Sequence, residues 1–119
     1  MRVVRIASDE SIVKLALAFS KEKKYDKVVV SELLNSLKEA NCFIAIKDTK
    51  VLGGGAYVKY SNCNFGLFLY VLPEFRGGSV GGRLLREGVR SSNNPLLVPV
   101  EEKELKMYQK LGYKLSIMY

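Results

Sequence analysis

The chain has 119 residues, 48% of them hydrophobic and 26% charged, with a net charge of +7. That length suits one domain spanning residues 1–119, and no apolar run approaches the ~20 residues of a membrane-spanning helix. Histidine is absent and only Cys42 and Cys63 carry thiols, which excludes Ser-His-Asp and Cys-His catalysis, imidazole metal ligation and a disulfide framework. Chemistry must then come from carboxylates, tyrosines, backbone groups or the substrate's own atoms. The start, Met1-Arg2-Val3-Val4-Arg5, lacks the long apolar core of a signal peptide. The expectation is a soluble, cytoplasmic protein with no metal and two reduced thiols. The positive charge is spread along the chain, and only Lys21, Lys23, Lys24 and Lys27 form a dense run. A solvated basic surface accounts for this better than a dedicated nucleic-acid face.

In chain order, Val3–Ala7 reads as a first strand, β-branched and short. Ser8 or Asp9 caps a helix whose Ile12, Leu15, Ala16 and Phe19 share one face. Lys21–Lys27 reads as a polar connection. Ser31 is the expected cap of a second helix bearing Leu33, Leu34 and Leu37, ended by Asn41. Phe43–Lys47 and Val51–Tyr60 form a hairpin about Asp48-Thr49-Lys50. Gly53-Gly54-Gly55, inside the second of these strands, marks a bulge or a close approach. After a turn at Ser61–Asn64, Phe65–Val71 is apolar throughout and reads as a central strand covered on both faces.

Beyond Pro73 the period turns helical, with Val80, Leu84, Leu85 and Val89 on one side. Ser91–Pro95 is a loop and Leu96–Val100 a buried strand. Glu101–Leu111 forms a last helix closed by Gly112, and Tyr113–Tyr119 a final strand. The element order is β-α-α-β-β-β-α-β-α-β, without repeats or linkers.

The chemistry sits between strand and helix, at Leu69-Tyr70-Val71-Leu72-Pro73-Glu74-Phe75-Arg76-Gly77-Gly78-Ser79-Val80-Gly81-Gly82. The first amides of a helix lack intrahelical partners and carry partial positive charge, and glycines let a phosphate approach them. With Arg76 just ahead, the segment reads as an anion-binding loop suited to a pyrophosphate. Gly77 to Gly82 has the spacing of a P-loop, but Arg83 and Leu84 stand where the lysine and the magnesium-binding hydroxyl belong. A dinucleotide fingerprint begun at Gly77 meets Ser79 instead of its second glycine.

The run Val71-x-Pro73-x-x-Arg76-Gly77-Gly78-Ser79-Val80-Gly81 resembles the pyrophosphate loop of the GCN5-related N-acetyltransferases, with Ser79 replacing the usual middle glycine. Downstream, Met107-Tyr108-Gln109-Lys110-Leu111-Gly112-Tyr113 resembles the same family's F-Y-x-K-L-G-F segment. The resemblance covers about Phe43 to Tyr113. It implies a compact α+β fold with a mixed, mostly antiparallel sheet flanked by helices. It also implies an enzyme that transfers an acetyl group from acetyl-CoA to a primary amine by direct attack. Carried over by position, the backbone of Leu69, Tyr70 and Val71 would bind the pantetheine arm. The amides of Gly77, Gly78, Ser79, Val80, Gly81 and Gly82, with Arg76, would hold the pyrophosphate. Tyr108 matches the general acid for the departing thiolate, a phenol that stays protonated near neutrality with its ordinary pKa of about 10.

Phe65–Val71 and Leu96–Val100 carry no carboxylate, so no general base is assigned. Acceptor recognition in the family maps to about Lys21–Leu37 and Tyr57–Asn64, and the acceptor, small molecule or protein, stays open. Seven residues follow Gly112, so completion of the final strand by a second subunit, giving a homodimer, is a further expectation. Two other readings compete: an acyl-CoA-binding module without turnover, and a basic nucleic-acid adaptor.

Overall fold

The computed structural model describes residues 1–60, 63–88 and 96–97. Strand β1 (Arg2–Ile6) leads into helix α1 (Glu10–Glu22) and helix α2 (Lys27–Ser36), and a 3-10 turn at Leu37–Glu39 follows. Then come β2 (Asn41–Lys47), β3 (Lys50–Tyr60) and β4 (Cys63–Val71), a 3-10 turn at Pro73–Phe75, helix α3 (Val80–Gly88) and β5 (Leu96–Leu97). The sheet runs β1-β2-β3-β4-β5; the first four strands are antiparallel neighbours and β5 pairs with β4 in parallel. This is the expected α+β architecture through β5. The expected helix Glu101–Leu111 and strand Tyr113–Tyr119 lie outside the described residues.

Asp9 caps α1, accepting from the amides of Ser11 (2.9 Å) and Ile12 (3.3 Å). The helix closes in a Schellman arrangement: the Tyr25 amide reaches Ser20 O at 3.0 Å and the Lys24 amide reaches Lys21 O at 3.2 Å. Lys24 holds the left-handed position at φ 58, where glycine is the usual occupant. Two sequence expectations shift here. Helix α1 extends through Glu22, so the polar connection shortens to a tight turn. Asp26, not Ser31, caps α2 by accepting from the Val29 amide at 3.0 Å. An aspartate already in extended geometry, one residue ahead of the first helical residue, satisfies the orphan amides before Ser31 is reached. Asn41 opens β2 instead of ending α2, because a 3-10 turn already closes the helix.

The sheet is covered on both faces. Ile12, Leu15, Ala16, Leu33 and Leu37 pack with Cys42, Ile44, Ala56, Phe68 and Tyr70 on the α1–α2 side. Phe43, Ala45, Leu52, Tyr57, Val80 and Leu84 pack on the α3 side. Two register shifts alter this alternation. Leu52 is extra between the pairs Ala45–Gly53 and Ile46–Val51, and Leu67 is extra between Ala56–Phe68 and Tyr57–Gly66. The bulge at Leu67 places Leu67 and Phe68 together against the α1–α2 cluster, while Leu69 and Val71 pack on the α3 cluster. The glycine run records close approach as well as a neighbouring bulge. A Cβ on Gly53 would stand 2.5 Å from Tyr70 O, and one on Gly55 2.8 Å from Phe68 O.

Candidate active site

The site is built where β4 ends. Leu69, Tyr70 and Val71 lie opposite Gly55, Gly54 and Gly53, so the end of β4 is drawn tightly onto β3. The chain leaves the sheet with the Leu72 amide still bonded to Leu52 O at 3.0 Å. Pro73 then starts a single 3-10 turn, as its fixed φ and missing amide favour. Arg76 returns to extended backbone and Gly77 takes φ +87, a conformation open to glycine and strained for other residues.

Helix α3 follows. Its first intrahelical bond to be closed from Ser79 O is made by the Arg83 amide at 3.0 Å, so the amides of Val80, Gly81 and Gly82 precede the ladder. A Cβ placed on Gly77 or Gly78 would meet nothing within 4 Å, and one on Gly81 would meet only Val71 Cγ2 at 3.7 Å. The loop is therefore an open concavity of backbone donors at the positive end of a helix. Val80 and Leu84 anchor the helix to the sheet, and Gly88 closes on the Phe43 ring, 2.5 Å from where its Cβ would stand.

Arg76 does not point into free solvent beside this loop. Its Nε donates to Val71 O at 2.8 Å, and its Nη1 and Nη2 donate to the two carboxylate oxygens of Glu22 at 2.9 and 2.7 Å. The guanidinium also lies over the Tyr70 ring at 5.2 Å. The bond to Glu22 raises the Arg76 pKa above its ordinary value, against the opposing effect of burial. A bidentate pair thus joins the C-terminal end of α1 to the loop, a link that spans 54 residues and has no signature in local sequence.

Of the sequence-derived site residues, the structure gathers Leu69, Tyr70, Val71, Arg76 and Gly77 through Gly82 around one strand-to-helix junction. Tyr108 lies outside the described residues. Sequence reasoning missed two groups on the α3 face of the sheet. The hydroxyl of Tyr57 and both amide atoms of Asn64 are buried without a hydrogen-bond partner, and the two residues are 1% exposed. A polar residue at the head of an apolar strand is a visible signal, but one that also suits a turn.

Among the described residues, no group of three His, Cys, Asp or Glu side chains is placed to hold a metal, and no helix is long and apolar enough to cross a membrane. Cys42 is buried, and that burial, with a lesser contribution from Asp9, raises its thiol pKa from the ordinary 9.0.

The fold is similar to solved acetyltransferases. A GNAT-family acetyltransferase from Streptococcus pneumoniae superposes with a TM-score of 0.74 at 15% identity, covering 99% of this chain and 96% of that one. GCN5 of Tetrahymena gives 0.74 at 17% identity, covering 93% and 78%. AAC(6′)-Iy, solved with the bisubstrate analog CoA-S-monomethyl-acetylneamine, gives 0.67 at 15% identity, covering 100% and 97%. No curated protein matches the sequence. At these identities the likeness establishes the fold, and the family follows from sequence: the family described as Acetyltransferase (GNAT) domain matches residues 38–115, more than half of the chain. The strand, the glycine-rich turn and the helix that follows it thus belong to a GNAT N-acetyltransferase.

Proposed function

We propose that the chain transfers an acetyl group from acetyl-CoA to a primary amine by direct attack, within one domain. The observation that carries this reading is the cradle at Gly77–Gly82. Gly77 is left-handed, Gly78 is unobstructed, and the Val80, Gly81 and Gly82 amides precede the helical ladder. Backbone donors at a helix N-terminus suit a pyrophosphate, whose charge needs several short-range donors more than one strong cation. The donor set fits coenzyme A even with Arg76 engaged by Glu22.

Acetyl-CoA supplies the activated acyl group as a thioester. The residues of this chain have the remaining tasks. The backbone of Leu69, Tyr70 and Val71 lines the pantetheine arm, and an amide near Val71 stabilises the developing oxyanion. Tyr108 donates a proton to the departing thiolate. The amine acceptor docks against the α1–α2 side and the β3–β4 end. There Val28 and Val29 of α2 are exposed, and Lys27, Val28, Ser31, Glu32 and Asn35 line an open groove.

Calorimetry with acetyl-CoA tests the reading directly, comparing the native chain with Gly81→Glu. A glutamate there sets a like charge against the pyrophosphate in a spot with room for its Cβ. Binding in the native chain that is lost in the variant, followed by release of free CoA thiol with an amine, is the expected result. Absence of binding in both proteins overturns the reading.

A further inference from the structure

Two arginines flank the cradle at Gly77–Gly82, Arg76 before it and Arg83 after it, and a carboxylate holds each of them. Both Nη atoms of Arg76 donate to Glu22 of α1, at 2.9 and 2.7 Å. Nη2 of Arg83 donates to the two carboxylate oxygens of Glu87, at 3.2 and 3.4 Å. The loop suited to a polyanion thus has both of its flanking guanidiniums already engaged.

The second pair runs against the electrostatics of its helix. In α1 the i,i+4 pair is Glu10 with Lys14, acid toward the N-terminus and base toward the C-terminus, the order a helix dipole favours. In α3 the order is reversed, Arg83 before Glu87, and the first turn holds no acid. Side chains on a helix tilt toward its N-terminus, so an arginine at position 83 leans by default toward the cradle. Reaching Glu87 draws it the other way by one turn, about 5.4 Å along the axis.

The first pair has a pivot. The Leu72 amide donates to Leu52 O on the β3 side, so the Val71 carbonyl, in the same trans peptide, points to the opposite edge. There it accepts from Arg76 Nε at 2.8 Å. The Tyr70 ring, 5.2 Å from the guanidinium carbon, backs the same group. These contacts keep the guanidinium next to Gly77 whichever anion its Nη atoms hold. Glu22 and Arg76 have side chains 50% and 42% exposed, and an ion pair so open to water is readily exchanged for another.

We propose that Glu22, with Glu87 as a weaker second, masks the arginines flanking the cradle and so limits its affinity for the nucleotide end of coenzyme A. This rests on the acetyl-CoA reading above. A pyrophosphate settling on the amides competes with Glu22 for the Nη donors, and breaking the old pair offsets part of the new contact. The loss is common to acetyl-CoA and free CoA, which share this end. Binding strength common to substrate and product does not speed the chemical step, and it delays departure of the product. Masking therefore favours release of CoA after transfer.

Calorimetry on the full chain with acetyl-CoA and with free CoA tests this. Glu22→Gln should tighten both ligands by the same factor, about fivefold at about 0.05 M salt and under about twofold at about 1 M, where charges are screened. Glu87→Gln should tighten both about twofold. A cycle with Arg76→Gln separates masking from a general effect of charge. In a chain already carrying Arg76→Gln, Glu22→Gln should gain less than about 1.5-fold, because no guanidinium is left to release. A purely structural link between α1 and the loop predicts the opposite sign, a looser cradle and weaker binding in Glu22→Gln. Unchanged or weakened binding in that variant, or an equal gain with and without Arg76, overturns the proposal and leaves the cofactor site standing. A gain for acetyl-CoA without one for free CoA overturns it as well. Failure of the native chain to bind acetyl-CoA removes the reading beneath it, and this proposal with it.

Discussion

Two glycine clusters, Gly53–Gly55 in β3 and Gly77–Gly78 before α3, look alike in sequence and answer opposite physical demands. In β3 there is no room for a side chain: a Cβ on Gly54 would sit 2.8 Å from both Phe43 O and Leu15 Cδ1. At the loop there is nothing but room, and what glycine supplies is a left-handed turn and bare amides. The first cluster belongs to packing and the second to ligand approach. A glycine therefore acquires meaning only from what its absent side chain would have met.

The sharpest way to break this contrast is Gly53→Ala. Its Cβ would face a backbone oxygen of the adjacent strand at 2.5 Å, and only strand movement can relieve that. We expect a loss of about 3 kcal/mol in chemical denaturation, and a loss under about 1 kcal/mol would show that the β3–β4 approach is adjustable. Gly77→Ala comes next. The space is open, but φ +87 is costly for any side chain, so a loss of about 1 kcal/mol is expected. Lys24→Gly runs the same physics in reverse. Relieving φ 58 at the end of α1 should raise stability by about 0.5–1 kcal/mol, provided the Schellman bonds persist.

Gly78→Ala sets the lower limit, with stability within about 0.5 kcal/mol of native and a measurable loss of acetyl-CoA affinity. Unchanged affinity there would mean that the ligand keeps its distance from that amide. A last, small effect concerns Cys42. Its thiol is held protonated in the fold, so the unfolded chain binds fewer protons once pH exceeds the ordinary 9.0. Its contribution to stability is intact below that pH and falls as pH rises above it. Cys42→Ala should flatten that part of the alkaline stability curve.

Much of the fold was legible because it rests on local chemistry. Asp9 as a cap, the hairpin at Asp48, the apolar run Phe65–Val71 and the helix after the glycine-rich turn all follow from short-range rules. The loop of the candidate site was legible for the same reason, since phosphate-type cradles are built from consecutive residues. Three features were not. The start of α2 depended on which of two capping residues acts first. The Glu22–Arg76 pair depends on where α1 ends in space, 54 residues from the loop. The Tyr57–Asn64 pair depends on register, and an alternating pattern cannot reveal a register that two bulges have shifted.

That shift has a consequence for how the gene can vary. Leu67 inverts the phase of β4, so residues before it count odd and even differently from residues after it. Replacing Leu67 by another apolar residue keeps the count. Deleting it would leave Tyr57 opposite Gly66 and Ala56 opposite Phe68 with both facings unchanged, because Leu67 is the unpaired residue of the bulge. Deleting a paired residue such as Phe65 would instead turn Asn64 toward the apolar layer under α1. At Leu67 the strand can therefore lose one letter and keep its faces, a tolerance its paired positions lack.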